Sequence, residues 1–427
     1  MFGNRDHQFA IAAGSVDITP ITRVPLASYR ASRKAIFDRV ADELEANVMV
    51  LHTESGLPVV FVSADLLYVG AYICNRVFEA LAGRVPRERI LIAATHTHFA
   101  PATEESLPGL GRVAREYLDF AATRIVDLVR RLLDVTPVPA HCRYHEGATL
   151  HSVNRRRLRF GISRQYPYIG FHTEISPNEE APRDDLIRVL TLTNAVGKIC
   201  AVCWSFACHP NTYPQIDSVS AEYPGRVRQL LRKRFGPIPV LFWQGFSGNI
   251  NPYRIVQLGG RQNERRSEFV RPTLSQWERW TETLADAVQL SISTAGKPVH
   301  GPVGCQMQSM EVRELGLDSS KLLIYRKVDF GGTLVICGLS AEVAVEYVGR
   351  LRAALPSATV IPVGCTDDVF GYLPVDDMIA GGGYEVKGFL RRFGLGGRFR
   401  RDICEVVERR LILAPAAVSG RPINRAG

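Results

Sequence analysis

Arg89-Ile90-Leu91-Ile92-Ala93-Ala94-Thr95-His96-Thr97-His98-Phe99-Ala100-Pro101 is the stretch that decides the fold. Its first half is a short apolar run that reads as a buried strand, Ile90 to Ala94. Residues two apart on a strand face the same way, so His96 and His98 are expected side by side where the strand meets its loop. Two neighbouring imidazoles can bind a metal or move protons. They can equally be hydrogen-bonded structural histidines.

Towards the N-terminus, Phe9 to Ala13 reads as a strand and Asp17 lies in the turn after it. Ala46 to His52 and Pro58 to Ser63 read as a hairpin, and Tyr68 to Leu81 as a helix. Strand, helix, strand with a polar cluster at the last strand end is an α/β pattern.

Towards the C-terminus, Val113, Tyr117, Phe120, Ala121, Ile125, Leu128 and Leu132 recur at helical spacing, so Gly111 to Leu133 is a long amphipathic helix. A strand is expected from Ala140 to Glu146. A basic, loop-rich cover follows at about 151–185. Leu186 to Thr193 and Ile199 to Phe206 read as a second hairpin that ends at Ala207-Cys208-His209-Pro210-Asn211. A helix to Arg234, a strand from Val240 to Phe242, and a helix from Ser275 to Ser293 capped by Thr273 come next. The last third reads as strands up to Leu339, a helix from Glu342 to Leu355, a strand from Ala358 to Val363, and a Gly-rich run to Tyr384. No composition break marks a linker. The expected fold is therefore α/β, a large mixed sheet with flanking helices in one domain over 1–427.

The 427 residues are 46% hydrophobic and 22% charged, enough for a large core. The N-terminus lacks the apolar core of a secretory signal, and no apolar run approaches a membrane span. The nine cysteines are scattered and odd in number, which fits buried reduced thiols. The expectation is a cytoplasmic protein. The net charge is +9, with basic clusters at Arg155-Arg156-Arg157-Leu158-Arg159 and from Lys387 to Arg401. No nucleic-acid signature accompanies them, so they fit solvated faces or a pocket for an anionic small molecule.

His96, His209 and Asn251 each sit just beyond an apolar strand in a Pro-containing loop, and Glu342 follows the apolar run Leu334 to Leu339. Strand ends that present two imidazoles, a carboxylate and an amide point to one converging site. That donor set suits zinc with an open position.

The order of motifs resembles the catalytic domain of the neutral, non-lysosomal ceramidases. The matching pieces are Gly14-Ser15-Val16-Asp17-Ile18-Thr19-Pro20, Phe61-Val62-Ser63-Ala64-Asp65, Thr95-His96-Thr97-His98, Asn154-Arg155, Cys208-His209-Pro210, Ala221-Glu222-Tyr223-Pro224-Gly225, Gly248-Asn249-Ile250-Asn251-Pro252, Leu339-Ser340-Ala341-Glu342, and Tyr372 with Tyr384. The resemblance does not extend to the family's C-terminal immunoglobulin-like domain. It implies a zinc-dependent amidase with His96, His209, Glu342 and Tyr372 as metal ligands. It places His98 and Tyr384 near the scissile carbonyl as proton shuttle or oxyanion donors, and Arg155 against the substrate. Two positions depart from the family. Asn251 stands where the family has a serine, and an amide can donate to an oxyanion or orient a water but cannot be a nucleophile. Phe99 replaces a small residue and is expected to reshape the substrate pocket.

The leading reading is thus a zinc hydrolase of an amide-type C–N bond in a small, anionic or acylated metabolite, working through metal-activated water. A zinc enzyme of cyclisation, elimination or acyl transfer, and a non-enzymatic anion-binding protein, stay open at this level.

Overall fold

The computed structural model describes residues 9–27, 36–53, 56–162, 169–253, 255–257 and 267–414. The turn expected at Glu54-Ser55 lies outside them.

Two mixed sheets build the frame. The larger has nine strands. Its path runs from Val240–Gln244 through Ile199–Phe206, Leu186–Thr193, Val138–Ala148, Phe9–Asp17, Glu45–His52 and Val59–Ala64 to Ile90–Ala94, with Lys297–Pro298 paired to one side. Its two terminal pairs are parallel, and the pairs between are antiparallel. The sheet curls so that its ends meet. Ser63 Oγ donates to Phe242 O at 2.6 Å, and Val240 N donates to Asn47 Oδ1 at 3.2 Å.

The second sheet orders Val303–Glu311, Leu322–Phe330, Leu334–Leu339 and Thr359–Val363, the last two parallel. It packs on the first through Phe61, Leu91 and Trp243 against Ile336, Ile361 and Val363. The parallel strands are continuous apolar runs because both faces are buried. The loops at their carboxyl ends meet. Ala94 N donates to Cys365 O at 3.1 Å, Gly245 N to Phe206 O at 3.0 Å, and Cys365 N to Ala341 O at 3.0 Å. Loops at such strand ends are the usual ligand site of an α/β sheet.

Helices cover the outside. Arg115–Asp134 buries Tyr117, Leu118, Ala121, Ile125, Leu128 and Leu132, the expected 3.6-residue stripe. Leu274–Ser293 begins at Thr273, whose side chain accepts from Gln276 N while the Gln276 side chain accepts from Thr273 N. This reciprocal cap satisfies two backbone donors that a helix start otherwise leaves open.

Three local expectations need correction. Asn154 to Pro182 is not loop-rich: Ser152–Ile162 and Ile169–Asn178 pair antiparallel, and Ile250–Pro252 adds a third strand. The run of arginines conceals a two-residue alternation with Leu158 and Phe160. Glu342 does not open a helix. Glu342–Val343 pairs parallel with Tyr372–Leu373, and the helix starts only at Tyr347. Finally, the strand before His96 ends at Ala94, and His96 takes φ +68°. His96 and His98 therefore meet through a left-handed loop residue and not through strand alternation. Such a conformation costs about 1–3 kcal/mol in a non-glycine residue and gathers at functional sites.

Candidate active site

Three loops bring the site together. His209 N donates to Ile250 O at 3.2 Å and His98 N to Pro210 O at 3.1 Å, which ties the three strand-end loops to one another. Glycine permits the closest approach. A Cβ on Gly248 would lie 2.6 Å from Glu342 O, and one on Gly245 2.8 Å from Ala207 N. Any side chain there would push the Gly248–Asn251 loop away from Glu342.

At the centre are His96, His209 and Glu342, all buried. His209 Nε2 lies 3.0 Å and His96 Nε2 3.4 Å from the same oxygen, Glu342 Oε2. The other nitrogen of each ring is committed: His96 Nδ1 is 3.0 Å from Leu67 O, and His209 Nδ1 is 2.9 Å from Ile250 O. A carbonyl only accepts, so both Nδ1 atoms carry the proton. In the neutral rings both Nε2 lone pairs then face a carboxylate oxygen. Arg155 Nη1, 3.4 Å from His209 Nε2, requires the same tautomer. Lone pairs converging on a carboxylate in a buried pocket need a positive charge among them. A divalent cation fits this donor set, with backbone carbonyls fixing the far side of each ring.

The electrostatics agree. Burial alone would raise the Glu342 carboxyl, but His96 and His209 outweigh it and hold it well below the carboxylate range. Burial disfavours a charged His96, yet Cys365 and Glu342 overcome it and raise its pKa well above the usual imidazole value. Burial and then Arg155 lower His209 to about 4, so its ring stays neutral. The protein alone thus draws a proton into the place a cation would occupy.

His98 completes a trio. The ring nitrogens of His96, His98 and His209 lie within 4.8 Å of one another, and the His98 ring centroid is 5.0 Å from His96. Tyr372 pairs with Glu342 across the short parallel ladder, and its hydroxyl accepts from Arg155 Nη2 at 3.2 Å. Tyr384 lies edge-on to Tyr372 at 5.5 Å. The Tyr384 hydroxyl is buried with no hydrogen-bond partner among the described residues. Burial, reinforced by Glu342, raises both phenols, so they remain neutral donors.

Arg155 is buried and fully engaged. It donates to Glu385 Oε1 (2.8 Å), Asn251 Oδ1 (3.2 Å) and Gly248 O (2.8 Å) besides Tyr372 and His209. Arg156 also binds Glu385, at 2.5 Å. The first two arginines of the basic cluster therefore turn inward and share one carboxylate, Glu385. Phe99 is not among the gathered residues. It packs edge-on to Tyr213 in the aromatic core that includes Trp204 and Trp277.

Sequence reasoning missed Tyr68, whose hydroxyl donates to Glu342 Oε1 and whose ring stacks on His96. It also missed Cys365, which adjoins His96 at φ +53°, and Glu385, the counter-ion of Arg155. Only Glu385 carried a signal, as the residue after Tyr384.

An open cavity of about 250 Å³ adjoins this centre through Asn251. Asn211, Thr212, Phe269, Val270 and Arg271 line it as well.

No family model and no curated protein matches the sequence. Solved structures do match. The crystal structure of neutral ceramidase from Pseudomonas aeruginosa superposes with a TM-score of 0.72 at 16% identity, covering 89% of this chain and 71% of that one. A ceramidase complexed with C2 gives 0.73 at 15% identity, covering 97% and 78%. The chain has the neutral ceramidase fold. On that fold, His96, His98 and His209 lie in loops beyond the strands, and Glu342 and Tyr372 pair in a short parallel ladder beside them. No helix among the described residues is long and apolar enough to cross a membrane.

Proposed function

We propose that residues 1–427 form one catalytic domain of a zinc-dependent amidohydrolase, which cleaves the amide-type C–N bond of a small acylated metabolite. The observation that carries this reading is the convergence of two tautomer-fixed Nε2 atoms on one buried carboxylate oxygen. His96, His209 and Glu342 would hold the metal, with the Tyr372 phenol beside them. Zinc bound there supplies Lewis-acid chemistry and a nucleophile at neutral pH.

The remaining roles follow from position. His98, partly exposed beside the two ligands, moves the proton that the leaving amine needs, since an imidazole titrates near working pH. The unsatisfied Tyr384 hydroxyl donates to the oxyanion. Asn251, at the cavity wall, orients the substrate amide. Arg155 is a positioning residue for Asn251 and Tyr372. An anionic group on the substrate would meet Arg271, which is exposed at the cavity and makes no ion pair among the described residues. All nine cysteines are free thiols, which supports a reducing, cytoplasmic setting.

The test is a screen of N-acyl amides in water enriched in oxygen-18. Hydrolysis places the label in the released acid, is lost on chelation and returns with zinc. Turnover with an unlabelled product would instead favour acyl transfer or cyclisation, and turnover indifferent to chelators would refute the metal reading.

A further inference from the structure

The cavity beside Asn251 has a chemistry that narrows the substrate. Its volume of about 250 Å³ falls below the ~300–1,000 Å³ of pockets that enclose a drug-sized ligand, so it has room for a fragment. One part of its wall is apolar, through Phe269, Val270 and Pro272, and another is polar, through Asn211, Asn251 and Arg271. Among the described residues, Arg271 carries the only formal charge in that wall. Glu222 lies behind it, buried, and accepts from Thr212 N at 2.7 Å and Thr212 Oγ1 at 3.1 Å.

The polar part is set to donate. Asn251 Oδ1 accepts from Arg155 Nη1 at 3.2 Å and from Asn211 Nδ2 at 3.4 Å. Two donors on one oxygen fix which way the amide points. The Asn251 NH2 group, with no partner among the described residues, is then the end left to bind an acceptor. Arg271 is exposed and commits Nη1 to Pro214 O at 3.3 Å. A guanidinium has five donors, so an edge remains for two-point binding of a carboxylate.

The cavity lies on the His98 side of the centre. His98 N donates to Pro210 O at 3.1 Å, and Asn211 is the next residue of the chain. In the reaction proposed above, on which this inference rests, His98 hands its proton to the leaving nitrogen. The amine half of the substrate therefore sits by the cavity. We propose that this half is an amino acid with an apolar side chain, its α-carboxylate on Arg271 and Asn251 and its side chain against Phe269, Val270 and Pro272, so that the substrates are N-acyl amino acids. The oxygen of water joins the acyl carbon and the C–N bond breaks. The amino acid leaves with its nitrogen protonated through His98, and the acyl group leaves as the free acid.

The test is calorimetric titration of the full-length protein, with zinc added, against three compounds. N-acetyl-leucine carries its carboxylate on the amine half, N-acetyl-leucinamide carries none, and N-isopentylsuccinamic acid carries one on the acyl half. The first should bind about tenfold more tightly than either of the others, the value of one charge-assisted hydrogen bond. Arg271→Met should lose this preference and, because the side chain is exposed, should melt like the parent. Arg271→Lys should keep part of it. Released leucine, measured on the same samples, separates the two claims. Preference without turnover would uphold the pocket and refute the hydrolase reading, whereas equal turnover of N-acetyl-leucine and its amide would do the reverse. Equal binding of all three compounds, tighter binding of the succinamic acid, or a preference that Arg271→Met leaves intact, as a carboxylate resting on zinc would give, would each overturn the proposal.

Discussion

Replacing Arg155 by Met separates a guanidinium that organises the site from one that touches substrate. In the folded protein Arg155 is buried and makes hydrogen bonds to Glu385, Asn251, Gly248 and Tyr372. Methionine fills similar volume but leaves the Glu385 carboxylate buried with Arg156 as its remaining partner. Breaking a buried ion pair costs about 3–5 kcal/mol. Because Arg156 stays in place, the lower end, about 3 kcal/mol, is expected from urea unfolding. The double variant Arg155→Met/Glu385→Leu removes the stranded charge and should recover about 1–3 kcal/mol of that loss. It should not recover activity, because Asn251 and Tyr372 still lack their donor. Arg155→Lys should fare little better, since a point-like ammonium cannot replace the planar fork of donors. A stability loss under about 1 kcal/mol, with only KM raised, would show that Arg155 faces substrate and refute its role as the organiser of the site.

Other residues give separate outcomes. His98→Ala should lower kcat by about 10²–10⁴ while bound zinc, measured by elemental analysis, stays at the parent level; loss of the metal would make His98 a ligand. Tyr384→Phe removes one oxyanion donor and should cost about 10²–10³ in kcat with KM unchanged, read from steady-state kinetics. Glu222 is buried at φ +57°, and burial, only partly offset by hydrogen bonds from Tyr223 N and Thr212 N, raises its carboxyl from 4.5 to about 7. The folded state keeps a proton that the unfolded chain gives up. Its contribution is therefore full below about 4.5 and falls away as pH rises through about 7. Glu222→Gln should flatten the decline of Tm across that window, and an unchanged slope would count against it.

Much of this was readable from the chain. Strand Ile90–Ala94 and the Thr273 cap are local signals, a short apolar run and a box of four residues. The constellation His96, His209, Glu342 was legible because each residue follows a buried strand, and the ends of those strands gather in one place. What stayed hidden was long-range or cancelled. Arg155 and Arg156 look like free positive charge until Glu385, some 230 residues away, is brought against them. Tyr68 reads as the start of a helix, and only folding sets its hydroxyl against Glu342. Phe99, next to the histidines in sequence, turns into the core, beyond the left-handed backbone at His96. The ribbon after Ser152 was masked by its arginines, although Leu158 and Phe160 already carried the period of a strand.

The most direct test of the account is to purify the protein without added metal and chelator, measure zinc per chain, and record anomalous scattering at the zinc edge from crystals. One zinc per chain is expected, with its peak among His96 Nε2, His209 Nε2 and Glu342 Oε2, and Glu342→Gln should lower the content about tenfold or more. A protein without metal, or a peak elsewhere while those three atoms share only a proton, would contradict the account.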